Sequence, residues 1–200
     1  MTIQLKVQIK GITKPPVWRR FAVPAEISFT MLHEVIQQAF GWESSHLFSF
    51  SPSGYGSYPE IQMADEFGFG DDDEEDSLNA DEVEITELLK NKGDKCVYIY
   101  DFGDDWIHQI TVEEVNELDK SKSATLLGGK GACPPEDCGG PYAFEQLKLF
   151  TKDKNDPEYK DFADWMGLEE EAKKGLPLWD ENDYDFESEK AIFDRMFHME

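Results

Sequence analysis

The chain has 200 residues, with 43 Asp and Glu against 19 Lys and Arg, and a formal net charge of −24 at pH 7. A chain of this length can bury a hydrophobic core without support from disulfides or metals. Direct nucleic-acid binding is disfavoured, because affinity for phosphate backbones depends on Lys and Arg side chains that displace counterions.

No targeting or membrane segment is expected. The first ten residues, MTIQLKVQIK, alternate polar and apolar side chains and lack the apolar core of a signal peptide. No run approaches the roughly 20 apolar residues of a membrane helix. Cys96, Cys133 and Cys138 are an odd and sparse set, unlike a secreted disulfide framework. We therefore expect a soluble cytoplasmic protein with reduced thiols and no membrane partner.

The first 50 residues predict a β-hairpin, a helix and another strand. Alternation from Ile3 to Ile9 is typical of a half-buried strand, and Val17 to Val23 predicts its partner. From Thr30 the apolar period becomes helical, with Thr30 as N-cap, Gly41 as terminator and His33 turned away from the apolar stripe. The following HLFSF alternates again and predicts a strand.

Residues 64–82 are abruptly acidic and include six consecutive acids, Asp71 to Asp76. A block of like charge without apolar periodicity buries too little surface to offset its ordering entropy. The block also lacks the spaced ligands and internal glycine of an EF-hand loop. We predict an acidic mobile insert rather than a calcium site, followed by a short helix at residues 83–90.

The segment YIYDFGDDWIH, residues 98–108, predicts a β-hairpin that turns at Gly103-Asp104, through a two-residue type II′ loop or a four-residue loop. Either register places Asp101 opposite Trp106, and the apolar face then carries only two polar residues, Asp101 and His108. Such a pair could orient an imidazole for acid–base or metal chemistry. It could instead be a buried structural hydrogen bond that braces the hairpin, which is the commoner case. Asp104 is interpreted as a turn residue.

A second segment rich in functional groups is CPPEDCGG, residues 133–140. The spacing of Cys133 and Cys138 is compatible with two thiolates on one metal, and His46 or His108 could complete a tetrahedral zinc site.

Two acids in the same segment, Glu136 and Asp137, are candidate general bases. They could instead be charges that favour the N-terminus of a helix opened by Pro141. Residues 142–200 are predicted to form a mainly helical C-terminal portion. Together these elements predict a single α+β domain over residues 1–200, with an antiparallel or mixed β-sheet built from hairpins and helices packed on one side.

Several of these motifs occur in one order: PPVWRR, LHEVIQQAFGW with HLFSF, YDFGDDWIH and CPPEDCGG. As a set they resemble the plasmid pRiA4b ORF-3-like protein family over nearly the whole chain. The resemblance implies a mixed α+β protein of prokaryotes, of a kind sometimes encoded on plasmids or mobile elements, without an established activity. Leu126 stands where similar members often carry a cysteine, which disfavours a zinc site built only from thiolates. The acidic block is also longer than the usual linker.

Two functions follow as hypotheses. The first is a non-catalytic binding or accessory module that holds a protein or peptide in a groove between the 98–108 hairpin and the 133–140 loop. Its predicted binding residues are Trp18, Arg19, Asp101, Trp106, His108, Pro134, Pro135, Glu136 and Asp137. The second is a metal-dependent hydrolase or nuclease-like enzyme, with zinc as the possible cofactor. Its candidate catalytic residues are Asp101, His108, Glu136 and Asp137, and its candidate metal ligands are His46, His108, Cys133 and Cys138.

Overall fold

The computed structural model describes residues 1–63 and 77–197. Eight strands are present in these ranges: β1 Thr2–Ile9, β2 Trp18–Pro24, β3 Phe48–Ser51, β4 Glu60–Gln62, β5 Ser77–Asn79, β6 Lys95–Tyr100, β7 Trp106–Asn116 and β8 Thr125–Lys130. The helices are α1 Phe29–Phe40, α2 Gly140–Phe150, α3 Pro157–Trp165, α4 Glu169–Lys174 and α5 Phe186–Phe197, with a short 3₁₀ helix at Ile85–Glu87.

The eight strands form one sheet in the order β5-β4-β3-β6-β7-β1-β2-β8. Strands β4 and β5 run parallel, and the other neighbouring pairs are antiparallel. The sheet is therefore mixed, and the predicted α+β class with a helical C-terminal portion is confirmed. In the described part of the chain, no helix combines the length and apolar character that a membrane span requires.

Helix α1 covers the apolar face of the sheet, to which alternate residues of β1 from Ile3 to Ile9 contribute fully buried side chains. The helix begins after Ser28, whose hydroxyl accepts from the Met31 N–H, so the predicted cap at Thr30 was two residues late. His33 was predicted to point away from the core. Its ring instead stacks on Phe48 with centroids 3.9 Å apart, because the face that contacts the sheet is wider than the apolar stripe.

Arg19, a predicted binding residue, is 2% exposed and lies on the inner face of β2. Its Nε donates to the Ala39 carbonyl, and its Nη1 donates to those of Lys130 and Gly131, at 2.9, 3.2 and 3.1 Å. The guanidinium also stacks on Tyr184, 4.2 Å from the ring centroid. Arg19 therefore joins the end of α1 to the end of β8 and does not face solvent.

The predicted acidic insert lies mostly outside the described residues, at 64–76. Its last residues belong to the fold. Ser77–Asn79 forms β5, and the Ala80 N–H donates to the Gln62 carbonyl at 2.8 Å. Ala80 is fully buried, so apolar burial resumes directly after the charged block. The helix predicted at 83–90 is reduced to the 3₁₀ turn Ile85–Glu87.

Candidate metal centre

The β6–β7 hairpin has a different register from the predicted one. Tyr98 pairs with His108 and Tyr100 pairs with Trp106, so the connecting loop has five residues, 101–105. Because side chains alternate across a strand, Tyr98 and Tyr100 share the inner face with His108, and Asp101 does not. The predicted contact between Asp101 and His108 is wrong.

Aspartates shape this five-residue loop. Asp101 Oδ1 accepts from the N–H groups of Gly103 and Asp104, at 2.9 and 3.3 Å. Asp101 and Asp105 have positive φ angles of 57° and 55°, whereas Gly103 does not adopt that conformation. Aspartate tolerates this left-handed region better than most residues. The local turn hydrogen bonds predicted for Asp104 are thus made by Asp101, which frees the Asp104 carboxylate for a distant partner.

His108 is fully buried beneath the hairpin. Its Nδ1 donates to the Trp106 carbonyl at 2.9 Å, and the rings of Phe40, Trp42 and Tyr98 surround it at 5.1–5.4 Å. Burial lowers the pKa of His108 to about 3. Within the described residues its Nε2 has no hydrogen-bond partner. His108 is thus a neutral core side chain, and neighbouring Trp106, 1% exposed, is equally inaccessible to a ligand.

The carboxylates of the two motifs meet a different histidine, His46. Its Nε2 lies 2.8 Å from Asp137 Oδ1, 3.7 Å from Asp101 Oδ2 and 4.0 Å from Glu136 Oε1. One ligand atom from each of His46, Asp101 and Asp137 lies within 4.8 Å of the others. We call these three residues the His–Asp cluster. Their side chains are 31%, 13% and 65% exposed, so the cluster is open to solvent on its Asp137 side.

Three distant segments assemble the cluster. His46 precedes β3, Asp101 follows β6, and the Asp101 N–H donates to the Leu47 carbonyl at 2.9 Å. Asp137 lies 91 positions after His46, in the loop before α2. No local sequence pattern links these segments, so only the folded chain brings them together.

Direct contacts dock the 133–140 loop onto the other two segments. The Trp42 indole N–H donates to the Pro134 carbonyl at 2.9 Å, and the Gly139 N–H donates to Asp104 Oδ2 at 2.9 Å. Gly140 has a φ of 78°, and a Cβ there would lie 2.4 Å from the Asp104 carbonyl oxygen. Glycine is therefore required where the loop crosses the hairpin turn.

Glu136 is held beside the cluster by two donors. Its Oε1 accepts from the Tyr100 hydroxyl, and its Oε2 accepts from the Glu43 N–H at 2.9 Å. The Tyr100 hydroxyl in turn accepts from the Ser45 N–H at 3.0 Å. Burial, followed by the bond to Glu136, raises the pKa of Tyr100. Tyr100 therefore stays protonated and fixes the carboxylate of Glu136.

Residues with a left-handed backbone conformation are concentrated around the His–Asp cluster. Among the described residues, the non-glycine positions with positive φ are Ser44, Asp101, Asp105 and Asp137, at 55–57°. All four lie in the three segments that form the cluster or its hairpin loop. Left-handed backbone costs a non-glycine residue about 1–2 kcal/mol and is retained where the surrounding structure enforces it, often at functional sites.

The electrostatics of the cluster favour a cation. Partial burial acts to lower the pKa of His46. The hydrogen bond to Asp137 and the charges of Asp101, Asp137 and Glu136 outweigh burial, so the pKa of His46 is raised. One imidazole therefore faces three carboxylates and cannot neutralise them, which leaves excess negative charge beside a nitrogen ligand.

The predicted cysteine ligands do not join the His–Asp cluster, the one group of three or more potential ligands that the described residues bring together. Burial raises the pKa of Cys138 to about 12 and that of Cys133 further, so both are protonated thiols at neutral pH. A zinc site from these thiols with His46 or His108 finds no support in the geometry, because their ligand atoms form no such group among the described residues.

The remaining predicted binding residues are scattered. Trp18 lies on the outer face of the sheet between the cations of Lys6 and Arg20, at 5.0 and 4.9 Å from its ring centroid. Pro134 is buried and Pro135 half-buried in the docking loop. Sequence reasoning missed Tyr100, because the predicted register placed it on the opposite face. No residue pattern in the sequence indicates that the loop at 101–105 has five residues rather than two or four.

The chain is similar to a protein of Sinorhizobium fredii and to one of Methanosarcina mazei Go1. The uncharacterized protein y4hQ of Sinorhizobium fredii is 34% identical over 169 residues, which cover 82% of this chain and 80% of that protein. The crystal structure of MM3350, a protein of unknown function from Methanosarcina mazei Go1, superposes with a TM-score of 0.71 at 28% identity. That match covers 94% of this chain and 96% of the other.

Residues 1–188 match the sequence model of the plasmid pRiA4b ORF-3-like proteins. This match confirms the resemblance that the four motifs indicated. It spans the sheet, the His–Asp cluster and the C-terminal helices as far as the first turn of α5. The chain belongs to the plasmid pRiA4b ORF-3-like protein family.

Proposed function

We propose that the His–Asp cluster binds one divalent transition-metal ion and that the protein acts through this ion. The observation that carries the proposal is the convergence of an imidazole nitrogen and two carboxylates, with ligand atoms within 4.8 Å, from three separate segments. Mixed imidazole and carboxylate ligands suit Zn²⁺, Mn²⁺ or Fe²⁺, whereas Ca²⁺ prefers oxygen ligands alone.

Three protein ligands are the number found in catalytic metal sites, which leave positions open for water or substrate. An ion held by these three residues would supply Lewis-acid chemistry and lower the pKa of a bound water, so metal-assisted hydrolysis is the chemistry that the site favours. Glu136 lies at 4.0 Å from His46 Nε2 and is 17% exposed, so it is our candidate to accept a proton from that water. His108 has no part in this proposal.

A non-catalytic binding role is the second candidate. Two aromatic residues near the cluster are exposed, Tyr55 at 58% and Phe102 at 40%. The Tyr55 hydroxyl donates to Asp105, which places this ring beside the hairpin turn. Exposed aromatic side chains at a rigid loop are typical of partner-binding surfaces. In this case the ion would hold the loops in place for a protein or peptide.

Calorimetric titration of metal-stripped protein with Zn²⁺, Mn²⁺, Mg²⁺ and Ca²⁺ tests the metal site. We expect one ion per chain, with Zn²⁺ or Mn²⁺ bound more tightly than Mg²⁺ or Ca²⁺. His46→Ala, Asp101→Asn and Asp137→Asn should each weaken binding by about tenfold or more, since the first removes the nitrogen ligand and the other two each remove a ligand's negative charge. Asparagine suits both aspartate positions, because it tolerates positive φ and keeps an accepting oxygen.

Asp164→Asn is the matched control, because it removes one exposed carboxylate elsewhere on the surface and should leave the titration unchanged. Binding that survives all three cluster substitutions would overturn the proposal. Hydrolysis of bis-p-nitrophenyl phosphate and p-nitrophenyl acetate by the metal-loaded protein separates the two roles. Metal-dependent turnover that Glu136→Gln abolishes supports the enzyme, whereas stoichiometric binding without turnover supports the binding role.

A further inference from the structure

Helices α2 and α3 leave an open cleft of about 690 Å³ between them. Each helix contributes residues spaced i, i+3, i+4 and i+7, so one continuous face of each helix borders the cleft. On α2 these residues are Ala143, Gln146, Leu147 and Phe150, and on α3 they are Glu158, Asp161, Phe162 and Trp165. The cleft is therefore a groove bordered by one face of each helix.

The floor of the groove is apolar and partly uncovered. Phe150 and Phe162 pack edge to face with ring centroids 5.8 Å apart, and Trp165 contacts Phe162 at 5.7 Å. At the edges, Leu149 is 67% exposed and Trp165 is 51% exposed. Large apolar side chains exposed together around a cleft are typical of interaction sites.

The charged residues that line the groove are all acidic: Asp156, Glu158 and Asp161. Asp156 caps α3 by accepting from the Glu158 N–H at 2.9 Å, whereas Glu158 and Asp161 extend into solvent. No Lys or Arg lines the groove to neutralise them. An occupant must therefore combine apolar side chains for the floor with cationic side chains for the rim.

We propose that the α2–α3 groove docks a cationic amphipathic helix of a partner protein. Leucine-like residues of that helix would cover Leu149, Phe150 and Trp165, and its Lys or Arg residues would face Glu158 and Asp161. A second copy of this chain is a poor occupant, because each copy carries a formal charge of −24 and would bring further carboxylates to an acidic rim. The proposal is independent of the His–Asp cluster.

The test uses the full chain and a fluorescein-labelled peptide of about 14 residues, long enough for four helical turns. The peptide contains only Leu and Lys, with Leu at helical i, i+3, i+4 and i+7 spacing. One comparison peptide replaces each Lys with Glu, and another replaces each Leu with Ser. Fluorescence anisotropy at about 0.15 M salt should show binding of the Leu/Lys peptide alone, because both the apolar and cationic faces are required.

Substitutions in the exposed parts of the groove locate the binding. Asp161→Lys and Leu149→Ser should each weaken binding by about tenfold, the first through charge reversal and the second through lost apolar contact. The matched controls are Asp164→Lys, which makes the same charge change outside the groove lining, and Ile192→Ser, at a 50% exposed position of α5. Both controls should remain within about twofold of the original chain.

Equal weakening by Asp161→Lys and Asp164→Lys would overturn the proposal, because the peptide would then be responding to overall charge. Equal binding of the Leu/Lys and Ser/Lys peptides would also overturn it. Circular dichroism melts of each variant confirm that the fold is retained. Self-association that is abolished by Leu149→Ser would contradict the proposed partner and identify a second copy as the occupant.

Discussion

Two histidine environments adjoin the β6–β7 hairpin. Beneath it, His33, Tyr98 and His108 form an interior cluster, where burial lowers the pKa of His33 to about 4 and that of His108 to about 3. At its turn, the His–Asp cluster raises the pKa of His46, because three carboxylates outweigh partial burial. The difference shows that solvent access and neighbouring charge, rather than residue type, separate a core histidine from a candidate ligand.

Hydrogen bonds join Tyr98 to helix α1, whereas His108 packs against the Tyr98 ring with centroids 5.1 Å apart. The Tyr98 hydroxyl accepts from Gln37 Nε2 at 2.9 Å and lies 2.7 Å from His33 Nδ1. Gln37 Oε1 then accepts from the Ser44 N–H at 2.9 Å, two residues before His46. The interior cluster therefore supports the loop that presents the surface histidine.

Acid should distinguish the two environments most strongly. His33 and His108 stay neutral in the folded state but titrate near 6.5 when unfolded. The stability that depends on their neutral state is therefore fully present above pH 6.5. It is lost as the pH falls towards 4 for His33 and towards 3 for His108. Between about pH 6.5 and pH 5, the two together should lower the free energy of unfolding by about 3 kcal/mol. His46, with a raised pKa, contributes in the opposite direction.

Urea unfolding of the original chain and of His33→Gln at both pH values measures this loss. In the variant, the change in the free energy of unfolding between the two pH values should be smaller by about half of the loss attributed to His33 and His108. This holds whatever the absolute stability of the variant. An unchanged dependence would mean that His33 is protonated in the folded protein.

A smaller effect is expected from Tyr98→Phe, which removes the shared hydroxyl from the interior cluster. The substitution leaves buried polar atoms of His33 and Gln37 without their partner, so we expect a loss of about 2 kcal/mol in the free energy of unfolding. Tyr55→Phe is the control, because its hydroxyl bonds Asp105 at an exposed position and should cost about 0.5 kcal/mol. Equal costs in urea unfolding would contradict the distinction between interior and surface.

The smallest effects on stability are expected at Asp101, where two substitutions distinguish the role of the side chain in folding from its role in metal binding. Asp101→Ala places alanine at a φ of 57° and removes the bonds to Gly103 and Asp104, so it should cost about 1.5 kcal/mol. Asp101→Asn retains that geometry and should remain within about 0.5 kcal/mol of the original chain while losing metal affinity. A large loss of stability in Asp101→Asn would show that the charge is needed for folding.

Much of the fold was predictable from local patterns. The β1–β2 hairpin, the termination of α1 at Gly41, the helix opened by Pro141 and the helical C-terminal portion follow from periodicity and cap residues within a few positions. The chemistry-bearing motifs were also identified, because carboxylates, histidine and glycine concentrate in them. The groove predicted between the 98–108 hairpin and the 133–140 loop stays a prediction.

The arrangement of those motifs was decided by tertiary structure. A five-residue loop in place of the predicted two- or four-residue loop moved Asp101 from His108 to His46, since one residue of register exchanges the two faces of a strand. Glu136 and Asp137 also lie beside His46, because Gly140 lets their loop pass close to the hairpin turn at Asp104. By itself, the sequence indicated five of the eight strands, most of the helices and the reactive residue types, because these depend on neighbours along the chain. Which side chains meet depended on loop backbone and on contacts across 91 positions, which local patterns do not encode.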